Sequence, residues 1–221
     1  MTRTAFERQL AEIQQEMLAL ASMVEVAIER GIQALRERDV DLAHQIIADD
    51  AKVNQKRYEI EDTCLEIIAT QQPLASDLRT IVAVLYIIVD LERMGDHAEG
   101  IAKIALMLAD EPPLKPYIDI PRMAEVAGRM LMSSLEAFKE RDADLARRIC
   151  DQDDEVDALY DQVYRELLTY MANDPRTIER ATHLTWVAHN LERIADRVTN
   201  ICERVVYLVE GRIEELNVSK Y

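Results

Sequence analysis

Apolar residues recur at steps of three and four along most of the chain. Between residues 74 and 109 the positions Ile81, Val84, Ile88, Leu91, Gly95, Ala98, Ala102 and Ala105 trace one stripe. That spacing keeps a single face of an α-helix turned toward a core. The same periodicity predicts helices over roughly 4–37, 39–70 and 74–109, and again over roughly 122–140, 142–172 and 176–210. Asp39 and Asp142 stand where a helix N-cap is expected, and Pro73 and Pro175 mark the turn before each third helix.

The six segments fall into two sets of three. Four of the six prolines lie in EPPLKPYIDIP, at Pro112, Pro113, Pro116 and Pro121, where a helix cannot continue. Across that boundary the sequence repeats itself. ERDVDLA at 37–43 returns as ERDADLA at 140–146, six of seven residues identical at an offset of 103. LERMGDHAEGI at 91–101 returns as LERIADRVTNI at 191–201, at an offset of 100. Two matches in the same order predict an internal duplication, with three residues fewer in the second copy's turn. The expected architecture is all-α: two tandem antiparallel three-helix bundles, one over residues 1–111 and one over 112–221.

Composition narrows the function. Five glycines and six prolines among 221 residues leave little strand punctuation. The longest uninterrupted apolar run, Ile81 to Val89, is far below the roughly 20 residues that span a bilayer. The N-terminal stretch lacks the basic and apolar regions of a secretory signal, so a cytoplasmic protein without membrane insertion is expected. Forty-two acids against 26 basic residues give a formal charge of −16, which repels nucleic acid and favours cations or basic protein surfaces. Cys64, Cys150 and Cys202 are odd in number and in no metal-type spacing; the expectation is buried apolar residues and no disulfide framework. Tyr86 and Trp186 match each other at the repeat offset and are expected to fill a bundle layer.

The acids carry the candidate chemistry. Glu92, Asp96 and Glu99 lie in a line with Leu78, Val82, Leu85 and Val89. They therefore occupy a half-apolar shoulder of the third helix, beside its core stripe. Glu192 and Asp196 repeat the pattern, with His189 in the same line. The second helices add Asp50 with Asn54 and Asp153 with Asp157. Carboxylates four residues apart on a helix repel unless a cation intervenes, and an oxygen-only set suits magnesium, manganese, calcium or iron better than zinc. Acids are common enough here for such pairs to arise by chance as solvated faces. Arg93 and Arg193 follow each Glu and supply the competing explanation, structural ion pairs. The recurrence at matching positions, together with the shoulder placement, keeps cation sites open beside that explanation. His44, His97 and His183 have no ligand-type partner and are expected to be structural or exposed.

The segments ERMGDH and ERIADR, each late in a long helix, together with TQQPLASDLR at 70–79, resemble the PhoU family of phosphate-transport accessory and regulatory proteins over essentially the whole chain. The resemblance implies that each half is a three-helix bundle. It also implies metal clusters, often iron, held by paired acids of the second and third helices. On this chain those are Asp50, Asn54, Glu92 and Asp96 in the first copy and Asp153, Asp157, Glu192 and Asp196 in the second. Asn54 departs from the acidic pattern, so two unequal sites are expected, with iron, manganese or magnesium as the ion. The resemblance further implies a homodimer that represses the phosphate-starvation response by linking the ATPase subunit of the phosphate transporter to a phosphate-sensing histidine kinase.

No catalytic triad, glycine-rich phosphate loop or dinucleotide fingerprint is present, so an enzyme is not expected. Two alternatives compete. A carboxylate-bridged di-iron oxidase needs Glu-x-x-His pairs, and no Glu lies three residues before any His. A metal-free helical scaffold is the other.

Overall fold

The computed structural model describes residues 3–216. Among them there is no strand. The helices are α1 (Arg3–Glu37), α2 (Val40–Gln71), α3 (Ala75–Leu108), α4 (Asp119–Glu140), α5 (Ala143–Cys150), α6 (Asp153–Asn173) and α7 (Ile178–Glu210), with a 3-10 turn over Pro175–Thr177. Helices α1, α2 and α3 pack together as one bundle, and α4, α5–α6 and α7 as the other. The bundles join chiefly along α3 and α7, and α1 also meets α4. Among the described residues no helix is long and apolar enough to cross a membrane.

The recurring Glu-Arg-Asp triplet makes the first corner of each bundle. Arg38 and Arg141 both take the left-handed conformation, at φ 55°. The amides of Asp39 and Asp142 then donate back to the carbonyls of Ala34 and Ala137, at 3.0 and 2.9 Å, which closes each preceding helix. The same two Asp side chains accept from the amides of Leu42 and Leu145 at 2.9 and 2.8 Å and cap the next helix. One αL residue followed by a cap turns the chain in the fewest residues, which explains why this triplet is repeated.

Helix α3 is buried on two sides, which a single stripe does not predict. Beyond the expected Ile81, Val84, Ile88, Leu91, Ala98 and Ala102, the residues Ile87, Met94 and Ile101 are also fully buried. Contacts along α3 and α7 run in opposite directions. Arg204 lies over the Tyr86 ring at 4.2 Å, Asn200 donates to Asp90, and His97 meets Asn190. The two copies are therefore related by an approximate two-fold across this seam.

Two expectations are corrected. The second helix of the second copy is not continuous: α5 ends at Cys150 and α6 starts at Asp153, with a tight turn in which the Gln152 amide donates to the Ile149 carbonyl at 3.0 Å. The copy-one counterpart, Ala48-Asp49-Asp50, is uninterrupted helix. In the second copy Asp151, Asp153, Asp154 and Glu155 crowd this point. Restarting the helix there puts three of them in its first turn, where the helix dipole favours negative charge. The aromatic pair also differs from expectation. Tyr86 and Trp186 are half-exposed, at 50% and 49%, and fill no core layer.

Candidate functional site

In the first copy α2 and α3 approach closely at Gly95, whose missing Cβ would lie 3.1 Å from Val53 Cγ1 and 3.6 Å from Asp50 Oδ1. Asp50 thereby sits within the electrostatic field of Glu92, Asp96 and Glu99, and burial together with those three acids raises its pKa. Its Oδ2 accepts from the Asn54 amide at 2.8 Å, the opposing influence. Burial also raises the pKa of Glu92, helped by Asp96 and opposed by Arg93 and Arg57. Glu99 is paired with Lys103 at 2.6 Å. A cavity of about 170 Å³ adjoins Asp50, with Asp49, Gly95 and Glu99 in its wall and Met23, Val26 and Val53 as its apolar side.

In the second copy the acid on the second helix lies deeper, while the Glu92 and Glu192 side chains are alike at 20% and 22% exposure. Asp153 is buried at 4% exposure, whereas Asp50 is half-buried. The helix break just before Asp153 is the local difference. Glu192 is pushed up to about 7, first by burial and then by Asp196 and Asp157, with Arg193 opposing. Its Oε2 is buried and accepts no hydrogen bond. His189 stands 3.5 Å from that oxygen and is itself exposed. Asp196 is held by Arg193 at 2.7 Å; the equivalent pair in the first copy, Arg93 and Asp96, is at 3.5 Å.

Of the predicted site residues, Asp50 on α2 is bonded by Asn54 and lies in the field of Glu92 and Asp96 on α3, and Glu192 on α7 lies in that of Asp196 and of Asp157 on α6, with Asp153 one turn from Asp157. Among the described residues, no three or more His, Cys, Asp or Glu side chains are gathered at one point as ligands. The acids instead lean on local partners: Asp50 on Asn54, Glu99 on Lys103, and Asp96 and Asp196 on the arginines. The donor set is all oxygen, and the buried Glu192 Oε2 accepts no hydrogen bond; both suit a hard cation.

Sequence reasoning missed the seam between these groups. Asp90, 8% exposed on α3, accepts from Asn200 at 3.0 Å and Arg197 at 3.4 Å. Its pseudo-symmetric counterpart Asn190 meets His97 Nδ1 at 2.9 Å, and Gly100 packs on the Asn190 amide. Burial lowers the His97 pKa despite the Asn190 contact, so the ring is neutral near pH 7. The signal was present in the repeat. Position 90 pairs with 190 and 97 with 197, a polar residue in every case.

Comparison with known proteins covers both bundles. The family model "PhoU domain" matches twice, over residues 17–105 and 120–205, once per bundle. A phosphate-specific transport system accessory protein PhoU homolog from Aquifex aeolicus is 44% identical over 206 residues, covering 93% of both chains. The Clostridium acetobutylicum homolog is 39% identical and covers 98% of this chain and all of its own. The crystal structure of PhoU from Pseudomonas aeruginosa superposes with a TM-score of 0.89 at 37% identity, covering 94% of this chain and 100% of that one. The regulatory protein PhoU from Streptococcus pneumoniae gives 0.90 at 34% identity, covering 96% and 100%.

Proposed function

The chain belongs to the PhoU family, and from that premise we propose that it is a metal-binding, non-enzymatic accessory and regulatory protein of phosphate uptake. Its relatives are named as accessory proteins of a phosphate-specific transport system, and the likeness runs through both bundles at nearly full length. In this reading it works in the cytoplasm as a homodimer. It contacts the ATPase subunit of the phosphate transporter and a phosphate-sensing histidine kinase, and holds down the starvation response when phosphate is plentiful. A formal charge of −16 supports a chain that acts through basic surfaces of partner proteins.

Each bundle offers one cation site. Asp153, Asp157, Glu192 and Asp196 form the stronger, and Asp50, Asn54, Glu92 and Asp96 the weaker. The observation that carries the metal reading is Glu192: a half-buried carboxyl, raised to about 7, whose buried Oε2 accepts no hydrogen bond and which has two acids nearby. Iron, manganese or magnesium would supply the positive charge that lets these acids ionise together. This chain's residues set the cost of admission, because Asp196 must leave Arg193 and Asp50 must leave Asn54.

Deleting the gene tests the regulatory reading. Phosphate-starvation genes should rise in phosphate-rich medium and fall again on complementation with the intact chain; unchanged expression contradicts it. Elemental analysis after chelator-free purification, beside Glu192→Ala with Asp196→Ala, tests the metal reading. Equal metal in both proteins contradicts it.

A further inference from the structure

Two tyrosines, a histidine and a carboxylate form one row across α6 and α7. The Tyr164 and Tyr160 rings lie nearly parallel with centroids 6.3 Å apart, and the Tyr160 ring is 6.3 Å from that of His189. His189 Nδ1 stands in turn 3.5 Å from Glu192 Oε2. Tyr164 and His189 are exposed and Tyr160 is half-buried, so solvent reaches the row along its length.

The first bundle has different chemistry at the same positions. The repeat pairs Tyr160 with Arg57, Tyr164 with Glu61, His189 with Val89 and Glu192 with Glu92. Arg57 binds Glu61 at 2.8 Å and, with Arg93, opposes the rise that burial gives the Glu92 pKa. The second bundle has exchanged that ion pair for two aromatic rings. Its Arg193 is bonded to Asp196 at 2.7 Å, and Glu192 Oε2 is buried and accepts no hydrogen bond. The rest of the Glu192 side chain is partly exposed beside His189, which leaves an approach from outside. A carboxylate next to tyrosine faces suits a guanidinium above other cations. Its plane stacks on the rings while its N–H fork donates to the acid, whereas an ammonium offers no face.

We propose that this row is a docking site for an arginine side chain of a partner protein, its guanidinium lying on the Tyr160 and Tyr164 rings and donating to the Glu192 carboxylate. The partner then supplies from outside the charge that Arg57 supplies from within the first bundle. Aromatic rings around a partly desolvated acid are also the composition of an interface hot spot. The formal charge of −16 draws basic segments to the chain, and the row selects among them by geometry. A metal ion would claim the same carboxylate, so the two occupants exclude one another, and the docking site does not depend on the metal reading.

The full chain, kept metal-free with chelator, is titrated with a capped alanine peptide carrying one central arginine and followed by NMR chemical shifts. Saturable shifts should centre on Tyr160, Tyr164, His189 and Glu192. The same peptide with neutral citrulline in place of arginine should bind about tenfold more weakly. Tyr160→Arg introduces the residue that the first bundle carries at 57, and Glu192→Gln removes the charge at constant volume. Each should weaken the arginine peptide about tenfold, and Glu192→Gln decides the matter if Tyr160→Arg folds poorly. Met107→Arg adds the same charge at an exposed position of the first bundle and should leave binding unchanged. Shifts centred on the first bundle's acids or absent, equal binding of the citrulline peptide, full binding by Glu192→Gln, or an equal loss in Met107→Arg would each overturn the proposal.

Discussion

The two bundles share a frame but treat the same carboxylate pattern differently. In the first, Asp50 is half-buried, hydrogen-bonded by Asn54 and close to a Glu99 that Lys103 already neutralises. In the second, Asp153 is buried, position 157 is Asp rather than Asn, and Glu192 keeps a proton up to about 7. The lesson is that a duplicated site diverges through its neighbours. One bundle has relieved its charge with an amide and a lysine. The other has kept the electrostatic tension that a cation would remove.

The largest effect should come from the second bundle. Glu192→Ala with Asp196→Ala removes two of the four proposed ligand side chains and should weaken manganese binding in the second bundle by about 100-fold or more, roughly 3 kcal/mol. The weaker site should be unchanged. Calorimetric titration distinguishes the two, and loss of the weaker step instead would reverse the assignment.

Acidity gives the next contrast. A carboxyl whose pKa rises on folding takes up a proton as the chain folds, so its contribution to stability is complete below the ordinary value of 4.5 and is lost as pH climbs through about 7. Metal-free protein should therefore lose roughly 1–3 kcal/mol between pH 5 and 8 from this group. Glu192→Gln should flatten that slope in denaturant unfolding. Saturating divalent ion should restore stability at pH 8 in the wild type alone.

Asn54→Asp makes the first bundle more like the second. It exchanges the 2.8 Å hydrogen bond to Asp50 for a like-charge pair on one helix turn. Without metal it should destabilise by about 0.5–1.5 kcal/mol. With metal it should tighten the weaker site by about tenfold, 1.4 kcal/mol. The smallest effect is expected from Lys103→Gln, which releases Glu99 from an ion pair whose lysine is 51% exposed. Stability should change by less than about 0.5 kcal/mol, and the weaker site should tighten about two- to threefold.

Much of this was legible in the sequence because the features are local and repeated. Hydrophobic period gave the long helices, and the Asp39 and Asp142 caps sit where their spacing to the next helix required. What escaped depends on contacts between distant elements. The break at Asp151 and Gln152 preserves helical backbone angles and leaves no glycine or proline as a marker. Helix α3 looked one-sided because its second buried face meets α7, about 100 residues away, and only the pairing of 90 with 190 hinted at it. Tyr86 and Trp186 matched in the repeat because they share an exposed position; Arg204 lies over Tyr86, and His183 stands 5.3 Å from the Trp186 ring. The carboxylate groupings were visible as residues, and Asn54 opposite Asp157 already marked them as unequal; the burial of Asp153, which period alone does not report, adds to that difference.

Hydrogen exchange during a manganese titration of the metal-free wild type tests the central claim most directly. At less than one ion per chain, protection should rise first around 153–157 and 192–196 and only later around 50–54 and 92–96. Protection that appears first in the earlier bundle, in both together, or in neither would contradict two unequal cation sites.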